Sequence, residues 1–310
     1  MANNTALNPN LFNKAGRAFK RVLKVVSQGK NPYSRYTSGK SSLTDEQRKF
    51  WEDNGYLAIP NFYSLEEVKK INDIIENMWA KPQDQNPKLT ADIFLETPES
   101  KRIYFREIPA EAKKTPYKIN DLYLISEFAR EMIVGERLGP IIGDLLDGDA
   151  LACNSLNFER GSQQHDHVDS FYMTPPVQNK LVASWIALEN VHPDSGPLRY
   201  FPGSHKIPAY TFSNGTHTAI PAEMDLCEKF IQSEVTKRGL KAEVFCANAG
   251  DLFIWHGQLL HGGTEIKDKT KTRKSLVTHY FRAKDVDPLL IKSVVPGCHY
   301  LARDFHSVNR

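Results

Sequence analysis

The second half of the chain carries KLVASWIALENV at residues 180–191 and KSLVTHYF at residues 274–281, two runs rich in apolar, β-branched and aromatic residues. Similar short runs are LACNSLNF (151–158), PLRYFPGS (197–204) and AEVFCANAGDLFIW (242–255), and Gly, Pro, Asn and Asp separate them. Short strands separated by turns indicate antiparallel sheets. The sequence therefore predicts a mainly β fold with flanking α-helices, a double-stranded β-helix of the jelly-roll, cupin-like kind.

Helices are predicted mostly ahead of these strands. Thr44 with Gln47, and Ser64 with Glu67, have the capping-box spacing that begins a helix. Gly55 stands where a left-handed residue would end the first of them. Further predicted elements are the apolar face of the second helix over 65–79, a strand over 56–59, and helices over Leu122–Leu138 and Ala222–Arg238.

Ahead of Thr44 the chain has a different composition. Residues 11–26, LFNKAGRAFKRVLKVV, place apolar residues at helical spacing with Lys and Arg between them. This pattern predicts a basic amphipathic helix that packs on the catalytic domain or a partner subunit, or rests on an anionic membrane surface. Residues 27–42 read as a flexible linker, so residues 1–43 are expected to precede the catalytic domain.

The bulk composition excludes several functions. A net charge of +3 is too small to indicate nucleic-acid binding, and the four cysteines are scattered without zinc or disulfide spacing. Neither a secretory signal nor a membrane-spanning run is visible. We therefore expect a cytoplasmic protein.

A metal site is predicted in GSQQHDHVDSFYM (161–173). His167 and Asp169 are two residues apart, which on an extended strand puts both side chains on one face. GDLFIWHGQLLHGG (250–263) supplies a third candidate ligand, His261. Two histidines and a carboxylate form the arrangement of non-haem Fe(II) oxygenases, whereas the thiolates that favour zinc are absent from both stretches.

Arg273 stands at the start of the last predicted core strand. There its guanidinium could bind the distal carboxylate of 2-oxoglutarate through two parallel hydrogen bonds, a geometry that lysine cannot match. The alternative is a solvent-exposed charge in the basic run KDKTKTRK (267–274).

The other histidines have competing interpretations. His165 shares the strand parity of the metal residues, but a pair with His167 would leave Asp169 unused. His256 is expected to orient a ligand or to pack in the core. His205 is expected to shape a turn, and His279 to line the pocket or to pack.

Four blocks occur in the order QQHDHVDSFYM, SWIALENVHPDSGPLRYFPGSHK, AGDLFIWHGQLLHGG and TRKSLVTHYF. Together they resemble the phytanoyl-CoA dioxygenase family of Fe(II)/2-oxoglutarate oxygenases, over about Asp45 to Tyr280. The resemblance implies that residues 44–310 form a single oxygenase domain of this kind.

The same resemblance implies roles for individual residues. Arg273 forms a salt bridge with 2-oxoglutarate, Trp185 lines the co-substrate pocket, and Ser275 assists the same carboxylate. Tyr172 is either a site aromatic or core filler. The implied iron ligands are His167, Asp169 and His261.

The implied reaction uses Fe(II), 2-oxoglutarate and O2 to hydroxylate a small-molecule metabolite, with release of succinate and CO2. Desaturation, cyclisation and epimerisation use the same cofactors, whereas Asp169 argues against halogenation. The alternatives are a catalytically inactive binding protein of this fold and a cupin-type metal isomerase or hydrolase that does not use 2-oxoglutarate. The segments expected to cover the substrate, residues 81–118 and 207–241, carry no motif that names it.

Overall fold

The computed structural model describes residues 42–308. The amphipathic helix predicted over residues 11–26 and the linker that follows it lie outside the described residues. Their proposed membrane or subunit contact therefore stays a prediction. Within residues 42–308, none of the helices is both long and apolar enough to cross a membrane.

The first two helices begin at the predicted capping boxes. Helix α1 (Asp45–Asn54) starts at Thr44, whose hydroxyl accepts the N–H of Gln47 while the Gln47 side chain accepts the N–H of Thr44. It ends at Gly55, which has a φ of +76°. Helix α2 (Leu65–Ala80) begins with the same exchange at Ser64 and buries one apolar face against the sheet: Val68, Ile71, Ile75 and Met78.

The helix predicted over Leu122–Leu138 is wrong in extent. A 3-10 turn covers Leu122–Leu124, and helix α3 (Glu127–Val134) begins only at Ser126, whose side chain accepts the N–H of Ala129. A further helix, α4 (Gly139–Leu146), was not predicted; it carries a proline in its first turn, where no backbone donor is needed. The helix predicted over Ala222–Arg238 is confirmed as α5 (Met224–Lys237).

Ten strands of the described residues form the main sheet, and three form a smaller one. The strands of the main sheet are β1 (Tyr56–Ile59), β2 (Thr90–Ile93), β3 (Lys101–Tyr104), β4 (Tyr117–Asn120), β5 (Ala150–Phe158), β6 (Leu181–Ala187), β9 (Leu252–His256), β11 (Ser275–Arg282), β12 (Ile291–Val295) and β13 (Cys298–Leu301). They run in the order β1-β9-β6-β11-β5-β4-β2-β3, and β13 pairs with both β5 and β12. The smaller sheet has the order β10-β7-β8, with β7 (Leu198–Tyr200), β8 (Glu243–Phe245) and β10 (His261–Gly263).

The two faces of the main sheet have different neighbours. Leu276 and Ile186 face the helices, in a core that includes the buried side of α2. On the opposite face, Trp185, Val277 and Phe253 pack with Tyr200 and Phe245 of the smaller sheet. We call this second face the inner face. Side chains alternate between the faces along each strand, so every second residue points between the two sheets.

Candidate active site

His167 and His261 are brought together by their backbones. The N–H of His167 donates to the carbonyl of His261 at 2.8 Å, and the reciprocal bond is 3.0 Å long. This isolated antiparallel bridge holds the two imidazole rings 4.4 Å apart, centroid to centroid. The third ligand predicted from a distant stretch therefore lies beside the first.

Asp169 completes the cluster, although its local structure differs from the prediction. The expected strand does not continue through Asp169, which instead begins a 3-10 turn, Asp169–Phe171. Val168 is extended, with φ −121° and ψ 121°, and Asp169 Oδ1 lies 3.5 Å from His167 Nε2 and 3.6 Å from His261 Nε2. The three ligand atoms are within 4.8 Å of one another, close enough to share one metal ion.

The tautomers of both histidines suit a metal at Nε2. His167 Nδ1 lies 2.8 Å from the carbonyl oxygen of His165, and His261 Nδ1 lies 2.9 Å from that of Leu259. A carbonyl only accepts, so each Nδ1 carries the proton and each Nε2 presents a lone pair. His165 thus contributes its backbone, and its side chain is exposed.

The other oxygen of Asp169 is held from the inner face. Trp255 Nε1 donates to Asp169 Oδ2 at 2.8 Å, and His279 Nε2 lies 3.3 Å from the same oxygen. His279 Nδ1 is 3.3 Å from the side-chain oxygen of Asn154. Trp255, Ala183, His279 and Asn154 are successive cross-strand neighbours. Trp255 was not predicted as a site residue.

Asp169 and His261 are held in the deprotonated forms that bind a cation. Burial would raise the pKa of Asp169, but the neighbouring His261, His279 and His167 hold that pKa well below its usual range. Burial lowers the pKa of His261 to about 4. By contrast, contact with Asp169 outweighs burial and raises the pKa of His167, so a proton competes with a metal ion for this imidazole. An ionised carboxylate beside a neutral imidazole is the form that binds a metal, and this N,N,O donor set fits Fe(II).

Arg273 is buried, which contradicts the alternative of a solvent-exposed charge. Only 3% of the residue is exposed, and within residues 42–308 no carboxylate lies at ion-pair distance from it. Nη1 donates to the carbonyl of Gly196 at 3.2 Å, while Nε has no partner among the described residues. In the same part of the chain, the side-chain polar atoms of Trp185 and Ser275 are also buried without partners, and the guanidinium lies 5.8 Å from the Trp185 ring.

Burying these polar groups without partners costs free energy unless a ligand binds to them. Burial lowers the pKa of Arg273 to about 10, so the guanidinium stays cationic at neutral pH. A buried, uncompensated charge and unpartnered hydroxyl and indole groups each carry a desolvation cost. A carboxylate from 2-oxoglutarate would supply both the opposite charge and the missing acceptors. The residues present therefore fit this co-substrate.

Three further aromatic or histidine predictions have different outcomes. Tyr172 is 57% exposed, so it is not core filler, and its ring lies 5.9 Å from that of His167. His256 does not contact a metal residue; its ring packs at a tilt of 54° to that of His205, 5.5 Å away. His205 lies in a 3-10 turn, Ser204–Lys206, as expected.

The fold is shared with solved enzymes. SnoK, a non-heme alpha ketoglutarate dependent carbocyclase from nogalamycin biosynthesis, matches with a TM-score of 0.59 at 16% identity, over 79% of this chain and 88% of SnoK. EctD from S. alaskensis, solved with 2-oxoglutarate and 5-hydroxyectoine, matches with a TM-score of 0.57 at 18% identity, over 83% and 82%. The predicted double-stranded β-helix is confirmed. The fold and the His-Asp-His cluster place the chain in the cupin-like fold class, with three side chains that can share one metal ion.

Sequence comparison identifies the family within that class. The model of the Phytanoyl-CoA dioxygenase (PhyH) family matches residues 51–274, and the chain belongs to this family. Peroxisomal phytanoyl-CoA dioxygenase of Bos taurus is 23% identical over 273 residues, which cover 86% of this chain and 73% of the relative. The chain is thus a 2-oxoglutarate-dependent dioxygenase that uses iron and O2, as the sequence predicted.

Proposed function

We propose that His167, Asp169 and His261 bind Fe(II), and that the enzyme hydroxylates a small-molecule metabolite with release of succinate and CO2. Arg273 binds the distal carboxylate of 2-oxoglutarate, with Ser275 and Trp185 contributing the hydroxyl and indole donors. The observation that carries the proposal is the buried guanidinium of Arg273, which no carboxylate of residues 42–308 pairs with.

Bound iron and 2-oxoglutarate supply the oxidising chemistry, and the protein residues orient the reactants. Trp255 and His279 hold Asp169 Oδ2, which leaves Oδ1 directed between the two histidines. Of the three metal residues, His167 has the most exposed side chain, 13% against 6% for His261 and 9% for Asp169. The substrate therefore reaches the metal past His167 and the exposed ring of Tyr172.

A two-readout screen tests this proposal. The iron-loaded protein is incubated with metabolite pools, with and without 2-oxoglutarate, and mass spectrometry follows both succinate and products that gain one oxygen. We expect both signals to depend on 2-oxoglutarate and to disappear in Arg273→Leu. A product formed without succinate would favour the isomerase or hydrolase alternative. Ligand retention without turnover would favour a binding protein.

A further inference from the structure

The residues that lead into His167 lie along the edge of the smaller sheet. His167 exchanges two backbone hydrogen bonds with His261 of β10, and the N–H of Gly263 donates to the carbonyl of Gln164 at 2.9 Å. Residues 164–167 therefore run antiparallel to β10, and we call them the edge segment. A segment at the edge of a sheet has a paired neighbour on one side only, so its position depends on few contacts.

Asp166 and Arg199 lie on opposite sides of β10. Because the edge segment and β10 are antiparallel, the residue before His167 meets the residue after His261, which is Gly262. Gly262 in turn pairs with Arg199 of β7. Asp166, Gly262 and Arg199 thus form one row across the sheet, and residues in such a row point to the same face.

An ion pair joins the two ends of this row. Asp166 Oδ1 accepts a hydrogen bond from Arg199 Nε at 2.9 Å and lies 2.8 Å from Arg199 Nη2. The side chain of Asp166 is 13% exposed and that of Arg199 is 38% exposed. The carboxylate is therefore largely withdrawn from the solvent that weakens surface ion pairs.

Gly262 leaves the space that the Asp166 carboxylate occupies. A Cβ at this position would lie 2.8 Å from Asp166 Oδ1 and 2.8 Å from the carbonyl oxygen of Gln164. The φ of Gly262 is not positive, so the backbone conformation does not require glycine here. The missing side chain is what lets Asp166 lie over β10 and reach Arg199.

The metal residues are on the other face of the smaller sheet. Tyr200 packs between the two sheets and pairs with His261, so His261 also points into that space. Side chains alternate along a strand, which puts Arg199 and Gly262 on the face turned away from the main sheet. The ion pair thus holds the edge segment from behind, while the next side chain, that of His167, points to the metal site.

We propose that Asp166, Arg199 and Gly262 are positioning residues for the metal site. Their ion pair, which crosses the glycine, fixes the edge segment so that His167 presents Nε2 beside that of His261. The inference rests on the proposed function, because these histidines are the ones proposed to bind Fe(II). A group that orients a metal ligand typically contributes tenfold or more to metal affinity.

The Fe(II) affinity of the full chain separates positioning from simple electrostatic attraction. If charge alone mattered, Arg199→Met would strengthen cation binding, because it removes a positive charge near the site. Positioning predicts the opposite, a fall of roughly tenfold in competition with a chromogenic chelator. Unchanged or higher affinity in Arg199→Met would overturn the inference.

A reversed ion pair provides a rescue. Asp166→Asn should lose affinity as Arg199→Met does, because each removes one half of the pair. The double variant Asp166→Arg with Arg199→Asp restores a pair of opposite charges across Gly262. We expect it to bind Fe(II) more tightly than either single variant, since contacting residues are not additive. A loss as large as the sum of the two single losses would contradict the proposal.

Hydrogen exchange of the metal-free full chain follows the edge segment without any metal. The amide of His167, which bonds to His261, should exchange faster in Arg199→Met than in wild type, because local opening becomes easier. Gly262→Ala should show the same increase, since its Cβ displaces the Asp166 carboxylate. Amides of α2 should exchange at wild-type rates in both variants.

Two controls remove comparable contacts elsewhere. Arg282→Met breaks an ion pair with Asp285 whose hydrogen bonds are 2.8 and 2.9 Å long. Gly135→Ala places a Cβ 2.4 Å from the carbonyl oxygen of Glu131, at the end of α3. Both should lower the free energy of unfolding and keep wild-type Fe(II) affinity. Equal losses of affinity in Arg282→Met and Arg199→Met would attribute the effect to general destabilisation and overturn the inference.

The proposed function fails separately. If His167→Ala kept wild-type Fe(II) affinity, the metal assignment would be wrong, and hydrogen exchange would still measure whether the ion pair holds the edge segment. If His167→Ala lost iron while Arg199→Met bound it as wild type does, only the positioning role would be wrong. We expect both variants to bind iron more weakly.

Discussion

The indole Nε1 of Trp255 lies 2.8 Å from Asp169 Oδ2, while the other carboxylate oxygen of Asp169 points at the Nε2 atoms of His167 and His261. A carboxylate that lost this donor would keep only the contact of Oδ2 with His279 Nε2 at 3.3 Å, and would rotate more easily about its last bond. The hydrogen bond therefore sets which oxygen is offered to the metal, and it comes from a strand far from Asp169 in the sequence.

Trp255→Phe should keep the ring and lose only the donor. We expect Fe(II) affinity to fall by roughly tenfold to a hundredfold, as for other groups that orient metal ligands. Competition with a chromogenic chelator measures it. Trp79→Phe is the matched control, because Trp79 Nε1 also donates at 2.8 Å, to Tyr117 OH, away from the metal site. Equal loss in both variants would contradict the assignment.

His167→Ala, Asp169→Ala and His261→Ala should each abolish turnover and bound iron while preserving the fold, because one of three protein ligands is lost. Metal content by elemental analysis and circular dichroism check the two parts of this expectation. His165→Ala should retain iron, since His165 contributes its carbonyl. Iron loss in His165→Ala with retention in His167→Ala would show that the ligands are assigned to the wrong residues.

Arg273→Lys keeps the charge and loses the two-pronged donor. The KM for 2-oxoglutarate should rise by roughly one to two orders of magnitude, or ~1.5 to 3 kcal/mol, while iron binding is unchanged. Initial rates of succinate formation measure the KM. An unchanged dependence on 2-oxoglutarate would remove Arg273 from the site.

Gly250 is a test of the fold rather than of the site. It has a φ of +89°, and a Cβ added there would lie 2.1 Å from the carbonyl oxygen of Tyr63. Gly250→Ala should therefore lower the free energy of unfolding by roughly 3 kcal/mol or more, from backbone strain and a clash together. Gly215→Ala is the control: its φ is +78°, but nothing lies within 4 Å of the added Cβ. Denaturant unfolding should show it losing only about 1 to 2 kcal/mol.

Local sequence signals predicted most of the fold. The capping boxes at Thr44 and Ser64, and the apolar runs that became β5, β6, β9 and β11, each depend on residues close together in the chain. The break in the helix predicted over 122–138 was missed because Ser126 competes as a cap within an apolar pattern. The strand order could not be predicted, because strand pairing depends on contacts between residues far apart in the sequence.

The site residues also divide into those that local sequence predicts and those that depend on contacts between distant strands. The metal residues were predicted because residue type and spacing carry that chemistry. The contacts of Trp255 and His279 with Asp169 could not be predicted, because they depend on strand pairing. Ala183 of β6 pairs with Trp255 on one side and with His279 on the other, which places both side chains beside Asp169. The 3-10 turn at Asp169 was also missed. A single extended residue, Val168, puts the side chains of His167 and Asp169 on the same side, just as a full strand would.

The pairing of β1 with β9, in which Leu57 opposes Ile254, bears on how the protein is made. At translation rates of 5–20 residues per second, roughly 10 to 40 s separate the synthesis of the two strands. During that interval β1, whose four residues are all buried in the finished fold, has no partner strand. The newly made N-terminal half therefore exposes an apolar strand edge that invites association with other chains, and its production should depend on chaperones that cover this segment until β9 is available.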